Sequence, residues 1–361
     1  MPSERGLAIA TEEATSAPRP RPVPVIDFHA HLLERLALET ALPHSVVTGF
    51  GTSYPPPAEG TAYARVMQAS FEPEEHVAAL DRLGIDAEVL SSNTVTQPLS
   101  WAPEKRAAEL HRRINDEIAR WVDAYPRRLI GSFTVPLQSR RAAEAEFLRC
   151  AGELMLRVVQ LPACHDGVYI GEPDFRYLWE MTAENDVVVF IHPEGVRDPW
   201  FQKYSLWNSV GQPIEEAKCI ASLIYEGILD DFPQLKIVVA HGGGYIPHYF
   251  GRLDRNVTAW PQSTANISRK PSEYFRSLYF DTCLYAPEVL AALVDRVGAD
   301  RLVLGSDFPI GDTDPVGFVS RCERLSPAEA RMVLGGTAAN LLGLTAAEPR
   351  GVTAPTHVAD E

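Results

Sequence analysis

Four histidines and one aspartate of this 361-residue chain stand at the ends of short apolar runs. His29 and His31 close the run VPVIDFHAH, and residues two apart on a strand point to the same face. The others are His192 after VVVFI, His241 before three glycines, and Asp307 in GSDFP. Imidazole and carboxylate ligands suit Zn²⁺, Mn²⁺ or Fe²⁺, and do not suit an all-oxygen Ca²⁺ site. The pattern therefore predicts a divalent metal site.

Three strand-end histidines and one aspartate, His29, His31, His192 and Asp307, form a plausible ligand set that leaves a position for water or substrate. Taken alone, HxH also fits two polar strand-end residues, and a single His192 also fits a satisfied core histidine. The combination favours a metal ion, which would lower the pKa of its bound water toward neutrality. His241 would then stand beside the ion as general base, general acid or electrostatic clamp. Its glycines permit close backbone approach to a ligand, or merely turn the chain into the next helix.

The elements that must position these residues are eight apolar, β-branched runs. Nearly continuous runs of this kind are typical of parallel strands buried on both faces. The runs are Val23–His29, Ala87–Asn93, Leu129–Val135, Arg157–Ala163, Val187–Pro193, Lys236–Gly243, Leu278–Cys283 and Arg301–Asp307. Helical patterns such as EPEEHVAALDRLG and PEVLAALVDRVG lie between them, beginning near proline and ending at glycine. This alternation predicts an α/β fold, a (β/α)8 TIM-like barrel with catalytic groups at the C-terminal strand ends.

One barrel domain is predicted for residues 23–345, with small insertions. Residues 1–22 and 346–361 are rich in polar residues and proline and lack periodicity, so we expect a flexible arm and a flexible tail. The polar segment 43–60 is long for a plain connection. It is a candidate lid over a site, or else a surface excursion without a role.

The composition excludes several classes of protein. With 45% hydrophobic and 22% charged residues the chain is ordinary for a soluble globular protein. Because its net charge is −15, the chain lacks the positive electrostatic field that nucleic-acid binding usually requires. We find neither an apolar run of membrane-spanning length nor the apolar core of a signal peptide. Five scattered cysteines form no disulfide framework and no Cys-type zinc site, so we expect reduced thiols in the cytoplasm.

The motifs IDFHAHL, IHPEG, HGGG followed by GRLDR, and GSDFP occur in an order that resembles the amidohydrolase superfamily. Within it, the chain is similar to the branch of aminocarboxymuconate-semialdehyde decarboxylase and related aromatic-acid decarboxylases, from about residue 25 to residue 343. The resemblance implies that His29, His31, His192 and Asp307 are the metal ligands, with zinc as the ion and manganese as the alternative. It implies that His241 is the catalytic histidine.

The resemblance also points to substrate-binding residues. Arg65 lies close to where these decarboxylases carry an arginine that binds a substrate carboxylate, although it also fits a solvated surface residue. Trp207 lies near an active-site aromatic position of the family, and Phe308 fits either a pocket wall or the core. An acidic chain repels an anionic substrate at long range, so a local cation must attract it, and Arg197 and Arg252 are further candidates.

The leading hypothesis is metal-dependent, non-oxidative decarboxylation of a small aromatic or ring-cleavage-derived carboxylic acid. A proton from Asp307 or activated water, assisted by His241, would reach the carboxylate-bearing carbon, and CO₂ would leave. The alternative is a hydrolase or hydratase, in which the activated water attacks a lactone, amide, carbonyl or alkene. A non-catalytic binding barrel is a third hypothesis, which four strand-end ligands disfavour. Gln160 stands where a lysine would indicate two metal ions, so one ion is expected. The resemblance further implies a homodimer.

Overall fold

The fold is described for residues 23–49, 51 and 59–344 of the chain in a computed structural model. The predicted arm 1–22, the predicted tail 346–361 and part of the candidate lid, residues 50 and 52–58, lie outside the described residues. The predicted boundaries of the barrel domain therefore stay a prediction.

The described residues contain ten strands, eight of which run parallel and form the barrel. In chain order, the strands are β1 Ile26–Leu32, β2 Ala87–Ser92, β3 Leu129–Phe133, β4 Val158–Leu161, β5 Cys164–His165, β6 Val168–Tyr169, β7 Val188–Ile191, β8 Ile237–Val239, β9 Tyr279–Asp281 and β10 Leu302–Val303. All except β5 and β6 join in one sheet, each beside its neighbour in the chain. The segment after β10 closes the sheet against β1, because the Phe28 amide donates to the Leu304 carbonyl and the His31 amide to the Phe308 carbonyl, both at 2.8 Å. The predicted (β/α)8 barrel is confirmed.

Helices connect the strands and pack against the outside of the sheet. The α-helices of the described residues are α1 Arg35–Ala41, α2 Ala62–Gln68, α3 Pro73–Leu83, α4 Glu104–Ala124, α5 Arg140–Leu148, α6 Arg176–Glu184, α7 Gln212–Tyr225, α8 Ile228–Asp231, α9 Phe250–Ala259, α10 Pro287–Val297, α11 Pro315–Ser320, α12 Pro327–Arg331 and α13 Thr337–Leu341. Their ends follow the predicted signals. For example, α3 begins at Pro73, carries two acidic residues in its first turn, and ends before Gly84 in the left-handed conformation.

Several strands are shorter than the apolar runs that predicted them. The run through Asp307 contributes only Leu302–Val303 as regular strand, and the run before His241 ends at Val239. His241 and Asp307 have φ angles of 48° and 58°, so the backbone leaves strand geometry at these residues. The strand β1, in contrast, continues to Leu32, so its two histidines lie inside the strand.

An antiparallel hairpin, β5 with β6, was not predicted. Its turn is Asp166-Gly167, with φ angles of 49° and 81°. Asp-Gly between apolar residues is a strong hairpin signal, because both turn positions need positive φ. The sequence ACHDGVYI therefore contains a signal from which this hairpin could have been predicted.

Apolar side chains fill the barrel below the predicted site. Phe28 and Phe190 meet edge to face with ring centroids 5.9 Å apart, and the ring of His29 lies 5.1 Å from that of Phe190. Aliphatic residues of the other strands complete this cluster, and α13 packs against its far end. The predicted ligands thus lie next to a buried apolar cluster. Among the described residues, no helix has the length and apolarity needed to cross a membrane.

Candidate active site

The side chains of His29, His31, His192 and Asp307 converge at the C-terminal end of the barrel. One possible ligand atom from each lies within 4.8 Å of all the others. The Nε2 atoms of His29 and His31 are 3.1 Å apart, and Asp307 Oδ1 lies 3.3 Å from the former and 3.1 Å from the latter. The ring of His192 is 4.9 Å from that of His29 and 4.8 Å from that of His31, between centroids. The structure brings together all four predicted ligands, here named the His₃Asp cluster.

Neighbouring groups determine which ring nitrogen of two histidines faces the cluster. His31 Nδ1 lies 2.9 Å from the Ser92 carbonyl oxygen, which can only accept, so Nδ1 carries the hydrogen. His29 Nδ1 likewise lies 2.6 Å from Asp281 Oδ2. When neutral, each ring therefore presents the lone pair of its Nε2 atom to the cluster. A carboxylate or carbonyl behind a histidine is the usual support of a metal ligand.

Gln160 holds the Ser92 backbone that supports His31. Its Oε1 accepts a hydrogen bond from the Ser92 amide at 3.0 Å, and its Nε2 donates to the Ser92 carbonyl at 2.9 Å. In the sequence, Gln160 counted only as the absence of a lysine. In the structure, Gln160 holds the Ser92 backbone, and the Ser92 carbonyl in turn holds the candidate ligand His31.

His192 gives the test of whether this cluster fits a metal ion. Both of its ring nitrogens are buried and have no hydrogen-bond partner among the described residues. Burial, followed by the neighbouring imidazoles, lowers the pKa of His192 well below its usual range, so the ring is neutral. An unpaired buried polar group costs about 1–3 kcal/mol, and a cation would satisfy it. Three imidazoles and one carboxylate suit Zn²⁺ or Mn²⁺, so the residues present fit a divalent metal ion.

His241 stands beside the His₃Asp cluster and is supported by a different carboxylate. Its Nδ1 donates to Glu216 of α7, and its Nε2 lies 3.8 Å from Asp307 Oδ2. Burial opposes a charge on His241, yet Glu216 and Asp307 raise its pKa well above the usual range. Burial raises the pKa of Glu216 to about 7. A carboxylate-supported imidazole that faces the cluster is suited to transfer a proton.

The three glycines after His241 are required by backbone and packing together. All have positive φ, at 62°, 75° and 64°. A Cβ on Gly243 would lie 2.6 Å from the Phe280 ring, and one on Gly244 would lie 2.2 Å from the Pro213 carbonyl oxygen. The sequence allowed two roles for these glycines, and the role of turning the chain is supported at each position. They permit the tight turn that directs His241 at the cluster.

Replacing Gly244 by alanine is expected to lower the free energy of unfolding by about 2–4 kcal/mol, from left-handed strain plus overpacking. The atom that a Cβ would meet belongs to the backbone of Pro213, so it cannot rotate away. Urea unfolding of the two proteins measures the difference. The matched control is Gly84→Ala, since Gly84 has φ of 72° but no atom within 4 Å of its added Cβ. Equal losses in the two variants would contradict the packing argument.

Comparison with known proteins shows the family to which the chain belongs. The amidohydrolase family profile matches residues 26–344. The chain belongs to the amidohydrolase family. This amidohydrolase is 31% identical to a 2-amino-3-carboxymuconate-6-semialdehyde decarboxylase of Dictyostelium discoideum, over 79% of this chain and 80% of the relative.

Two solved structures share the fold of this amidohydrolase. A 5-carboxyvanillate decarboxylase from Sphingomonas paucimobilis superimposes with a TM-score of 0.78 at 25% identity, covering 90% of this chain and 100% of that one. A dihydroxybenzoic acid decarboxylase from Polaromonas sp. JS666, solved with bound manganese, gives a TM-score of 0.76 at 24% identity, covering 89% and 97%.

The three predicted substrate-binding residues of this amidohydrolase differ in burial and in the groups that they contact. Arg65 is exposed on α2. Trp207 is half-buried and packs against Gly195, in the loop after β7. Phe308 is buried, and its ring lies 4.8 Å from that of His76, edge to face. A core position was one of the two that the sequence allowed for this residue. Among the described residues, none of these three side chains forms a hydrogen bond with the His₃Asp cluster. Their parts in substrate binding stay predictions.

Two further arginines were candidate cations. Arg197 forms a two-pronged ion pair with Glu194, at 3.0 and 2.6 Å, and its Nη1 donates to the His44 carbonyl at 3.1 Å. Arg197 therefore ties the loop after β7 to the start of the candidate lid. Arg252 is exposed on α9.

The sequence did not predict Asp281 and Glu216 as supports of site histidines. Asp281 had a signal, because it ends an apolar run as Asp307 does. Glu216 had none, because one of two adjacent glutamates on a helix is marked only by the fold that turns it toward His241.

Proposed function

We propose that this amidohydrolase is a metal-dependent, non-oxidative decarboxylase of a small aromatic or ring-cleavage-derived carboxylic acid. The observation that carries the proposal is the pairing of the His₃Asp cluster with the Glu216-supported imidazole of His241. The 31% identity to a carboxymuconate-semialdehyde decarboxylase supports the same class of reaction. The relatives do not favour the hydrolase or hydratase alternative.

His29, His31, His192 and Asp307 would hold one divalent ion, Zn²⁺ with Mn²⁺ as the alternative. The manganese in the Polaromonas enzyme supports a divalent ion in this fold. When bound, the ion supplies positive charge that attracts and polarises a carboxylate or hydroxyl oxygen. The position of His192, buried with two unpaired nitrogens, supports it as a ligand.

His241 and Asp307 are the proposed catalytic residues. Glu216 holds the Nδ1 hydrogen of His241, so the Nε2 hydrogen is the one available for transfer. That proton passes to the carbon bearing the carboxylate, directly or through Asp307 Oδ2, which is 3.8 Å from Nε2. Protonation makes this carbon tetrahedral. The bond to the carboxylate then breaks, CO₂ leaves, and the electron pair returns to the π system. Solvent restores the proton to His241.

Product analysis by mass spectrometry tests the reaction. Metal-loaded protein is incubated with ortho-hydroxybenzoates, ring-cleavage semialdehydes, lactones and amides. We expect loss of CO₂ from one of the carboxylic acids, absent in a His192→Ala control. Gain of water, or cleavage of a lactone or amide, would refute decarboxylation and assign the site to hydration or hydrolysis.

The proposal extends to three properties of the whole molecule. We place the enzyme in the cytoplasm as a homodimer, with residues 23–345 as its single domain. The exposed aromatic side chains of Trp200 and Tyr204, 54% and 90% exposed, support a contact surface. Light scattering of the purified chain measures the subunit number, and a monomeric mass at micromolar concentration would refute the dimer.

Replacing Asp281 by asparagine is expected to weaken metal binding by about 10–100-fold, the usual effect of losing support behind a ligand. Asparagine keeps the shape but cannot hold the Nδ1 hydrogen of His29 with a full charge. Competition with a chromophoric chelator measures the affinity. Asp295→Asn is the control, since Asp295 is 63% exposed and pairs with Arg324 on the surface. Equal metal affinity in both variants would contradict the supporting role of Asp281.

A further inference from the structure

Asp307 lies in an irregular part of the barrel seam, where the segment after β10 closes against β1. Asp27 pairs with Leu304, and Ala30 pairs with Phe308. Between these two pairings β1 advances from position 27 to 30, whereas the opposite segment advances from 304 to 308, so the opposite segment carries one extra residue. An extra residue of this kind is a bulge, which disrupts the regular ladder and redirects a side chain. The bulge contains Asp307, the one carboxylate of the His₃Asp cluster.

Two backbone amides in this bulge bind side-chain oxygens. The Ser306 amide donates to Asp27 Oδ1 at 3.1 Å, and the Phe308 amide donates to Ser306 Oγ at 3.0 Å. The Ser306 hydroxyl donates in turn to Asp27 Oδ2. Asp27 Oδ1 also accepts the His29 amide at 2.9 Å, and the His29 carbonyl accepts the Asp307 amide at 2.8 Å. Asp27 and Ser306 are fully buried, so these bonds form in the interior of the barrel.

We propose that Asp27 and Ser306 are positioning residues that hold Asp307 in the conformation in which it can bind the metal ion. Asp307 has a φ of 58°, in the left-handed region that is unfavourable for a residue with a Cβ atom. A residue stays in such a conformation only where its surroundings hold it there. Asp27 and Ser306 fix the amide before Asp307 and the amide after it, so its backbone cannot relax to negative φ without breaking these bonds.

His241, the other site residue with a left-handed backbone, is held in a different way. Its φ is 48°, and the three glycines that follow it form the turn. Asp307 is followed by Phe308 and Pro309, which lack the conformational freedom of glycine. Side-chain hydrogen bonds therefore do at Asp307 what the glycines do at His241.

The backbone conformation of Asp307 determines where its two oxygens lie. Oδ1 is 3.3 Å from His29 Nε2 and 3.1 Å from His31 Nε2, and Oδ2 is 3.8 Å from His241 Nε2. A change of φ would move the carboxylate away from these nitrogens. Loss of the support should therefore weaken metal binding, although neither supporting residue is a proposed ligand. The inference rests on the metal site of the proposed function and does not depend on the reaction.

The zinc affinity of Ser306→Ala, measured by competition with a chromophoric chelator, tests the proposal. Alanine removes the hydroxyl that joins Asp27 to the Phe308 amide, and we expect zinc to bind about 10–100-fold more weakly. The matched control is Ser132→Ala, at a buried serine of β3 whose hydroxyl donates to Ser91 at 3.1 Å. The control should keep the affinity of the parent protein. Equal zinc affinity in the two variants would overturn the proposal.

The same substitution in an Asp307→Gly background separates the positioning of Asp307 from a general structural role. Glycine adopts positive φ freely and carries no ligand, so nothing remains for Ser306 to hold. Three histidines are a known zinc ligand set, so the affinity should stay measurable. Adding Ser306→Ala should then change it by no more than about twofold. A further loss of about tenfold or more would show that Ser306 acts through the fold as a whole, against the proposal.

Asp27→Asn keeps the proposal testable if Ser306→Ala fails to fold. Asparagine retains an Oδ1 that can accept the two amides, but its Nδ2 cannot accept the Ser306 hydroxyl. We expect weaker zinc binding in the parent background and no further weakening in the Asp307→Gly background. Unchanged zinc affinity in Asp27→Asn would contradict the proposal.

The parent protein distinguishes a failure of this inference from a failure of the proposed function. Absence of zinc binding in the parent would refute the metal site and the positioning role together. Zinc binding that neither Ser306→Ala nor Asp27→Asn weakens would refute the positioning role alone. Weakened zinc binding in a protein without detectable decarboxylation would support the positioning role and refute only the proposed reaction.

Discussion

His192→Ala is expected to remove the stably bound metal ion and to lower kcat/KM by about a thousandfold. His192 supplies one of four proposed ligands, and its ring nitrogens have no other partner among the described residues. A metal ion contributes several kcal/mol to stabilising developing charge, and about 4 kcal/mol corresponds to a factor of a thousand. Elemental analysis of the desalted protein and steady-state kinetics at added metal measure the two effects.

Thermal unfolding separates this loss from a loss of fold. Binding to the native state raises stability with ligand concentration, so the Tm of the parent protein should rise with added metal and that of His192→Ala should not. The matched control is His111→Ala, which removes another buried imidazole, on α4, whose Nδ1 lies 2.7 Å from Thr134 Oγ1. The control should lose stability but keep its metal-dependent rise in Tm. A full metal content in His192→Ala would contradict the ligand assignment.

The barrel and its four converging side chains could be predicted because they depend on local patterns. Apolar runs mark parallel strands, and parallel strands in a barrel end on one face. His29 and His31 then share a face through the strand period of two. His192 and Asp307 are polar residues that end apolar runs. In a closed sheet of parallel strands, such residues come together at the C-terminal end of the barrel.

The supporting groups could not be predicted in the same way. Glu216 approaches His241 from a helix, and its position depends on how α7 packs against the sheet. The support of His31 is a backbone carbonyl, that of Ser92, and every residue has one. Phe308 shows the same limit, because the sequence allowed a pocket wall or the core, and its contact with the His76 ring depends on the tertiary packing.

His241→Asn is expected to lower kcat by about 10²–10⁴-fold while the metal ion stays bound. His241 is not one of the four proposed ligands, but its Nε2 faces Asp307 and its Nδ1 is held by Glu216. Asparagine is chosen because the φ of 48° at this position is left-handed, which asparagine tolerates better than most residues. The variant should therefore keep the turn and lose only the titrating ring. Kinetics and elemental analysis of the same sample measure both quantities.

The contrast between the two variants decides what His241 does. His192→Ala should lose metal and activity together, whereas His241→Asn should lose activity alone, along with the limb of the pH–rate profile that reports the proton donor. His248→Asn, the same substitution at an exposed histidine of the same segment, should leave kcat unchanged. Full kcat in His241→Asn would mean that the proton reaches the substrate from another group. Loss of metal in this variant would instead make His241 a support of the metal site, because a residue that only moves a proton leaves metal affinity intact.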